Sequence, residues 1–540
     1  MKLSYVGLKD RPLWAAAGIR LPDYDYEAAA AYTRQHPVWV HFGSGSLVRG
    51  FHARLMQSLL EQGAVHSGLI TADTFDYEIV DKVYTPYDNL SIMVSLKPDG
   101  STEKEVVASI GESLRAGWNY PRDVSRMKEI FRAPSLQLVT FTITEKGYAL
   151  TDLDGNWLPA AKADFSAGPG GCTHAMGWVA ALLWERYQAG AFPLAVVSTD
   201  NCSQNGAKLR KGVLTMAEQW LHHGFVNRAY LNWLQDEKQV SFPWTMIDKI
   251  TPRPALTVAN MLAEAGVEDI APVITAKKSF VAPFVNAEIP QYLVVEDRFP
   301  NGRPPLERAS VYMTDRDTVN KCERMKVSTC LNPLHTALAI FGCLLGYTSI
   351  AAEMQDPQLK ALVEKVGLQE GMPAVANPGI LDPEAFIRQV LEERFPNPFI
   401  PDTPQRIATD TSQKIPIRFG ETIKAYMARP NLNPEELFYI PLAIAGWLRY
   451  LLALDDQGQP MECSSDPMLP QLQAQLSGVT LGRPESVAGK LAVILSNETL
   501  FGTNLVKAGL APRIEEMFSQ MLAGKGAVRR TLIQYLGDRN

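Results

Sequence analysis

The sequence predicts an α/β protein, with a doubly wound parallel sheet in its first half and a mainly α-helical second half. Three observations predict it. Short β-branched runs alternate with helix-period segments up to about residue 285. A glycine turn joins the first strong strand to its helix. Beyond about residue 310, long segments of helical period take over. A chain of 540 residues is too long for one core, so two domains are expected, 1–285 and 286–540.

The elements follow in order. "PVWVHFGSGSLVRGFHARLMQSLLEQG" (37–63) reads as strand, glycine turn and helix, with Leu55, Leu59 and Leu60 on the apolar face. "HSGLITAD" (66–73), "LQLVTFTITEKGY" (136–148) and "PLAVVSTDN" (193–201) are further strands ending in polar turns. "VVEDRFPNGRPPLE" (294–307) reads as a connecting stretch. "NPEELFYIPLAIAGWLRYLLAL" (433–454) predicts a long helix with Asn433 as its N-cap and Pro434 at its first position.

The bulk numbers narrow the function classes. Hydrophobic content of 46% with 20% charged residues describes an ordinary soluble globular protein. A net charge of −6 gives no electrostatic footprint for nucleic acid or an anionic membrane as partner. The first thirty residues lack a signal-peptide layout, and the apolar run Thr336–Ala352 predicts a buried core helix rather than a membrane span. Six cysteines, at 172, 202, 322, 330, 343 and 463, form no CxxC pair and have no histidines at zinc spacing. A reduced, cytoplasmic protein without a metal site is expected. Oligomeric state is not readable.

Gly43-Ser44-Gly45 follows the first strand and opens a helix. Glycines there let the backbone turn tightly and approach a pyrophosphate, which sits on the helix N-terminus, so this region predicts a Rossmann-like dinucleotide-binding domain. The third fingerprint glycine is replaced by Val48, with Gly50 two residues later. Asp73 ends the next strand, 28 residues after Gly45 where about 20 is usual. An acid there can bind the adenosine ribose and favour NAD over NADP; Asp76 is its rival.

The chemical signal lies in "KVSTCLNPLHTALAIFGCLLGY" (326–347). A residue before proline avoids the α region, so a helix carrying Lys326 should end near Leu331. Asn332 and Pro333 then suit the N-cap and first position of a new helix, with His335 in its first turn, where the helix dipole disfavours imidazolium. A break between them lets Lys326 and His335 face one pocket. Glu323, three residues before Lys326, shares its face. Lysine, asparagine and neutral histidine suit ketone reduction without a metal: amides hold the developing alkoxide while a lysine gives or takes the proton. A second asparagine cluster, "STDNCSQNG" (198–206), follows a strand of the first half.

These residues resemble the polyol-specific long-chain dehydrogenases, the family of mannitol 2-dehydrogenase, fructuronate reductase and tagaturonate reductase. The likeness runs through "HFGSGSLVRGFHA", "TITEKGY", "STDNCSQNG", "MIDKITP", "VVEDRFPNGRP", "ERMK…LNPLHTALA" and "RFPNPFIPDTPQRIATDTSQKIP". It implies a Rossmann-like N-terminal domain, a mainly helical C-terminal domain and a metal-independent NAD(P) reaction. Lys326 matches the family's general acid/base, and Asn332 and Asn201 its oxyanion-hole pair. His335 matches the substrate-orienting histidine, and Glu323 the acid linked to proton escape. Arg406, Lys414 and Asp248 match substrate-site residues; Gly43, Gly45, Arg49, Asp73 and Thr144 fall in the cofactor-binding segments. Two departures stand out. Five residues, Val327 to Leu331, intervene between Lys326 and Asn332 where the family usually has one fewer. Ser46-Leu47-Val48 also replaces the aromatic and histidine that relatives commonly show before the arginine.

Arg406 and Lys414 bring two cations that suit a sugar carboxylate. The expected activity is NADH-dependent reduction of D-fructuronate to D-mannonate. The alternatives are mannitol 2-dehydrogenase, tagaturonate reductase and, from another class, a non-catalytic dinucleotide-binding sensor.

Overall fold

The computed structural model describes residues 1–152 and 154–537. Two compact units divide the chain: Met1–Leu96 with Ser101–Asn320, and Lys321–Asn540 with Lys97–Gly100. The division thus falls after Asn320 rather than after residue 285. The stretch expected to connect the domains, 294–307, lies in the first unit, and its first three residues end the strand Tyr292–Glu296, which pairs with Thr245–Asp248 and Tyr312–Thr314; just before it, Phe284–Glu288 pairs in parallel with Ser91–Leu96.

The first unit is organised by six parallel strands: β1 (Trp39–Phe42), β2 (Leu69–Asp73), β3 (Ile110–Arg115), β4 (Leu138–Phe141), β5 (Leu194–Ser198) and β6 (Val240–Ser241). Their spatial order is β3-β2-β1-β4-β5-β6, the doubly wound arrangement of dinucleotide-binding domains. Side chains alternate across the sheet with period two, and both faces are apolar. Val40, Phe42, Ile70, Ala72, Val139, Phe141 and Val196 enter one core, while Trp39, Leu69, Leu138, Ala195 and Val197 enter the other. A sheet covered on both sides must read as near-continuous hydrophobic runs, and these strands do. The chain order reverses between β1 and β4, which makes the ends of those two strands the point where a ligand binds.

The second unit is helical. Its first helix continues one that starts at Arg316 in the first unit: Arg316–Met325, a π-turn over Lys326–Cys330 and Asn332–Leu345 form one helical stretch of 30 residues. Its apolar part is long enough to cross a membrane, yet it is 78% buried within the protein, and Ala337–Phe341 are wholly enclosed. Asn332–Leu345 packs against Tyr439–Tyr450 so closely that a Cβ at Gly446 would strike the Phe341 ring. Asn433 does cap a helical turn, but only the 3₁₀ turn Pro434–Glu436. The long helix begins at Tyr439, later than Asn433-Pro434 suggests. Its cap is supplied from elsewhere in the chain: the buried Glu370 carboxylate accepts N–H bonds from Phe438, Tyr439 and Ile440.

Candidate active site

In the first unit, β1 ends at Phe42 and the chain turns at Gly43 with φ +113°. A Cβ there would collide with the Thr142 carbonyl oxygen, so the position demands glycine. At Gly45 a Cβ would meet nothing within 4 Å, and the helix begins at Ser46. A tight turn, an open approach and a helix N-terminus together fit a dinucleotide pyrophosphate. The third glycine's task, close helix-to-sheet packing, passes to Gly50, where a Cβ would lie 2.9 Å from Val285. Val48 and Gly50 both lie in a π-turn, Val48–His52, that precedes the helix Ala53–Glu61.

Arg49, expected among the cofactor-binding residues, lies buried behind the glycine turn. It is 1% exposed, donates to the Ala282 carbonyl at 2.6 Å and lies over the Tyr84 ring. Tyr84 in turn donates to the Ser44 carbonyl at 2.9 Å, so Arg49 braces the glycine turn from behind. Asp73 is also engaged by the protein itself. One carboxylate oxygen accepts the Ser44 N–H at 3.0 Å, and the other those of Phe75 and Asp76 at 2.8 and 2.7 Å. Burial raises its pKa, with the three N–H donors opposing. Asp76 is 2% exposed and receives the Thr275 hydroxyl at 2.6 Å.

Beyond β4, Thr144 holds φ +64° and ψ 158°, a strained conformation for a β-branched residue. Asp200 holds it there: its carboxylate accepts the N–H groups of Ile143 and Thr144, both at 2.9 Å, and the Tyr148 hydroxyl. Sequence reasoning passed over Asp200, although its place two residues after β5 and directly before Asn201 was a usable signal. Asn201 follows it on the surface, and Asp248 closes Thr245–Asp248, 6% exposed.

In the second unit the expected helix break is real but has a different form. Lys326–Cys330 is a π-turn closed by the Leu331 N–H on the Lys326 carbonyl at 3.1 Å. The residue that leaves helical geometry is Leu331, φ −132° and ψ −63°. Asn332 is therefore the first helical residue rather than the cap; Pro333 follows it. His335 donates its backbone N–H to the Leu331 carbonyl at 3.0 Å. An i→i+5 turn uses one residue more than an i→i+4 turn for about the same rotation. A π-turn therefore has room for the additional residue between Lys326 and Asn332. Lys326 is 1% exposed, while Glu323 and Asn332 are half-buried.

His335 stands among cations. Burial, followed by Arg418, Arg406, Arg394 and Lys414, pushes its pKa down to about 3, so the ring is neutral at physiological pH. Its Nε2 lies 3.5 Å from Asp402 Oδ2, and Phe395 packs on the ring with centroids 5.0 Å apart. Arg406 is largely exposed and pairs with Asp402. Lys414 turns its ammonium onto the carbonyls of Ile407 and Thr409, and burial lowers its pKa to about 8. Arg418 donates to the Thr336 hydroxyl at 2.6 Å. Sequence reasoning found Arg406 and Lys414 but missed Arg418, which is one helical turn beyond Lys414 and was findable on that spacing. Among the described residues, no group of three or more His, Cys, Asp or Glu could hold a metal ion.

Residues 38–308 match the mannitol dehydrogenase Rossmann domain, and residues 318–522 match the mannitol dehydrogenase C-terminal domain. The chain belongs to the mannitol dehydrogenase family. It is 52% identical to a D-mannonate oxidoreductase of Thermotoga maritima, over 99% of each chain. A D-mannonate oxidoreductase of Escherichia coli is 29% identical, over 80% of this chain and 84% of the relative. Mannitol 2-dehydrogenase of Pseudomonas fluorescens, solved as a ternary complex with NAD and D-mannitol, superposes with a TM-score of 0.71. That similarity is at 26% identity and spans 99% of both chains. As a member of this family the protein is an NAD-dependent polyol or sugar-acid oxidoreductase acting on CH–OH groups, which sets aside the non-catalytic sensor.

Proposed function

We propose that this protein reduces D-fructuronate to D-mannonate with NADH in the cytoplasm. The observation that carries the substrate is the gathering of Arg394, Arg406, Lys414 and Arg418 about a neutral His335. Cations beside a neutral ring suit a hexuronate carboxylate better than an uncharged polyol. The 52% identity to a D-mannonate oxidoreductase supports the same reading.

The glycine turn Gly43–Gly45, the loop at Thr144 and the strand end at Asp73 would hold the dinucleotide; a bound nicotinamide supplies the hydride. Lys326 donates the proton to the carbonyl oxygen of the sugar as it becomes a hydroxyl. Asn332 donates an amide N–H to that oxygen while negative charge develops on it, and Asn201 is the second donor by resemblance. Neutral His335 orients the substrate's hydroxyls, Glu323 carries the proton away from or toward Lys326, and Asp248 lines the sugar site. Arg406 and Lys414 hold the carboxylate.

The test is a substrate panel. NADH oxidation should be fastest with D-fructuronate, slower with D-tagaturonate and slowest with D-fructose. A preference for fructose would assign the protein to mannitol oxidation, and a preference for tagaturonate to the epimeric hexuronate.

A further inference from the structure

Phe75 is a large aromatic side chain left 65% exposed two residues beyond Asp73. Its backbone N–H and that of Ser44 are held by the same Asp73 carboxylate, so Phe75 is tied directly to the glycine turn. A hairpin, Val273–Ile274 paired with Phe280–Val281, is clipped onto this loop. The Thr275 hydroxyl donates to Asp76, and the Ala276 N–H donates to Glu78 at 3.3 Å. The hairpin tip thereby sets the exposed Lys277 over the Phe75 ring, with Nζ 5.0 Å from its centroid. In this strand order the adenosine half of a dinucleotide lies outside the carboxyl end of β2. Asp73, expected to read the ribose there, already serves three backbone donors.

We infer that Phe75 and Lys277 form a lip that receives the adenosine end of the cofactor, with Phe75 stacking on adenine and Lys277 setting tolerance for a 2′-phosphate. The inference rests on the dinucleotide reading above. An exposed aromatic face binds any base by stacking, and a neighbouring ammonium adds a point charge suited to phosphate.

Calorimetric titration of the full chain with ADP-ribose and with 2′-phospho-ADP-ribose tests this without turnover. Phe75→Ala should weaken both ligands by about 5- to 150-fold, the range of a base–aromatic stack, and Phe75→Trp should restore binding. Lys277→Glu should weaken the 2′-phosphorylated ligand by about tenfold or more and leave ADP-ribose within about twofold. Melting temperatures of all variants should match the unaltered chain, because both side chains are exposed. Unchanged ADP-ribose affinity in Phe75→Ala would overturn the lip while the dinucleotide reading stands. Equal effects of Lys277→Glu on both ligands would overturn its role at the 2′ position. Failure of the unaltered chain to bind ADP-ribose would overturn the dinucleotide reading and the lip with it.

Discussion

Replacing Lys414 by methionine keeps the length of the side chain and removes its charge. A hydrogen bond to a charged partner contributes about 1.5–3 kcal/mol. Loss of one such bond to a substrate carboxylate therefore lowers kcat/KM for D-fructuronate by about 10- to 150-fold. D-Fructose, which has no carboxylate, should lose much less. What it does lose measures the loosening of the Ile407 and Thr409 carbonyls that Lys414 now holds. The pH dependence sharpens the test. Burial lowers the Lys414 pKa to about 8, so the ammonium is charged below that pH and neutral above it. In the unaltered enzyme, KM for fructuronate should rise as pH passes through 8, while KM for fructose stays level. Lys414→Arg, whose charge does not titrate, should flatten that profile. Initial rates of NADH oxidation between pH 6.5 and 9.5 supply every value needed. Equal losses with acid and neutral sugars, or a pH profile unchanged by arginine, would refute carboxylate binding by Lys414.

Other outcomes follow from the same geometry. Deleting Val327 should let the π-turn at Lys326–Cys330 relax to an α-turn with both flanking helices kept in direction. Turnover should then stay within about tenfold, and collapse of turnover at an unchanged melting temperature would show that the π-turn does more than absorb a residue. Glu353 is fully buried, neither carboxyl oxygen has a hydrogen-bond partner, and burial raises its pKa from 4.5 to about 9. Its folded-state pKa exceeds the unfolded one, so its contribution to stability is full below pH 4.5 and is lost as pH rises toward 9. Each pH unit in that window removes about 1.4 kcal/mol. Glu353→Gln should therefore gain on the unaltered protein as pH increases, and parallel melting curves from pH 5 to 9 would contradict this.

Much of this architecture was legible because it depends on period and punctuation. Trp39–Phe42, Leu69–Asp73, Leu138–Phe141 and Leu194–Ser198 are short apolar runs closed by polar turns, and that pattern alone places them in a doubly covered parallel sheet. Gly43 was legible for the same reason, since its left-handed turn excludes a side chain. The edges were less so. The strands Phe284–Glu288 and Tyr292–Glu296 belong to small sheets whose partners are far away in sequence, so no local pattern showed that the first unit continues to Asn320. The start of Tyr439–Tyr450 was hidden because Glu370, remote in sequence, caps it. The same limit applies to the site. Lys326, Asn332 and His335 lie on one helical stretch and announce themselves by spacing. Asp200, Arg418 and Asp402 act through groups that folding brings to them. Arg49 and Asp73 carry the chemistry of a cofactor contact, and the bonds they also make to the glycine turn and its surroundings depend on groups that folding brings to them.

The reaction assigned to this protein depends on the amine that the π-turn at Lys326 presents. The most direct measurement compares Lys326→Ala with the unaltered enzyme in single-turnover NADH oxidation with D-fructuronate, alongside NADH binding by fluorescence. Turnover should fall by about 10²–10⁴, the usual share of a general acid, with NADH affinity unchanged within about twofold. Turnover within a few-fold of normal would remove Lys326 from the chemistry and contradict the mechanism.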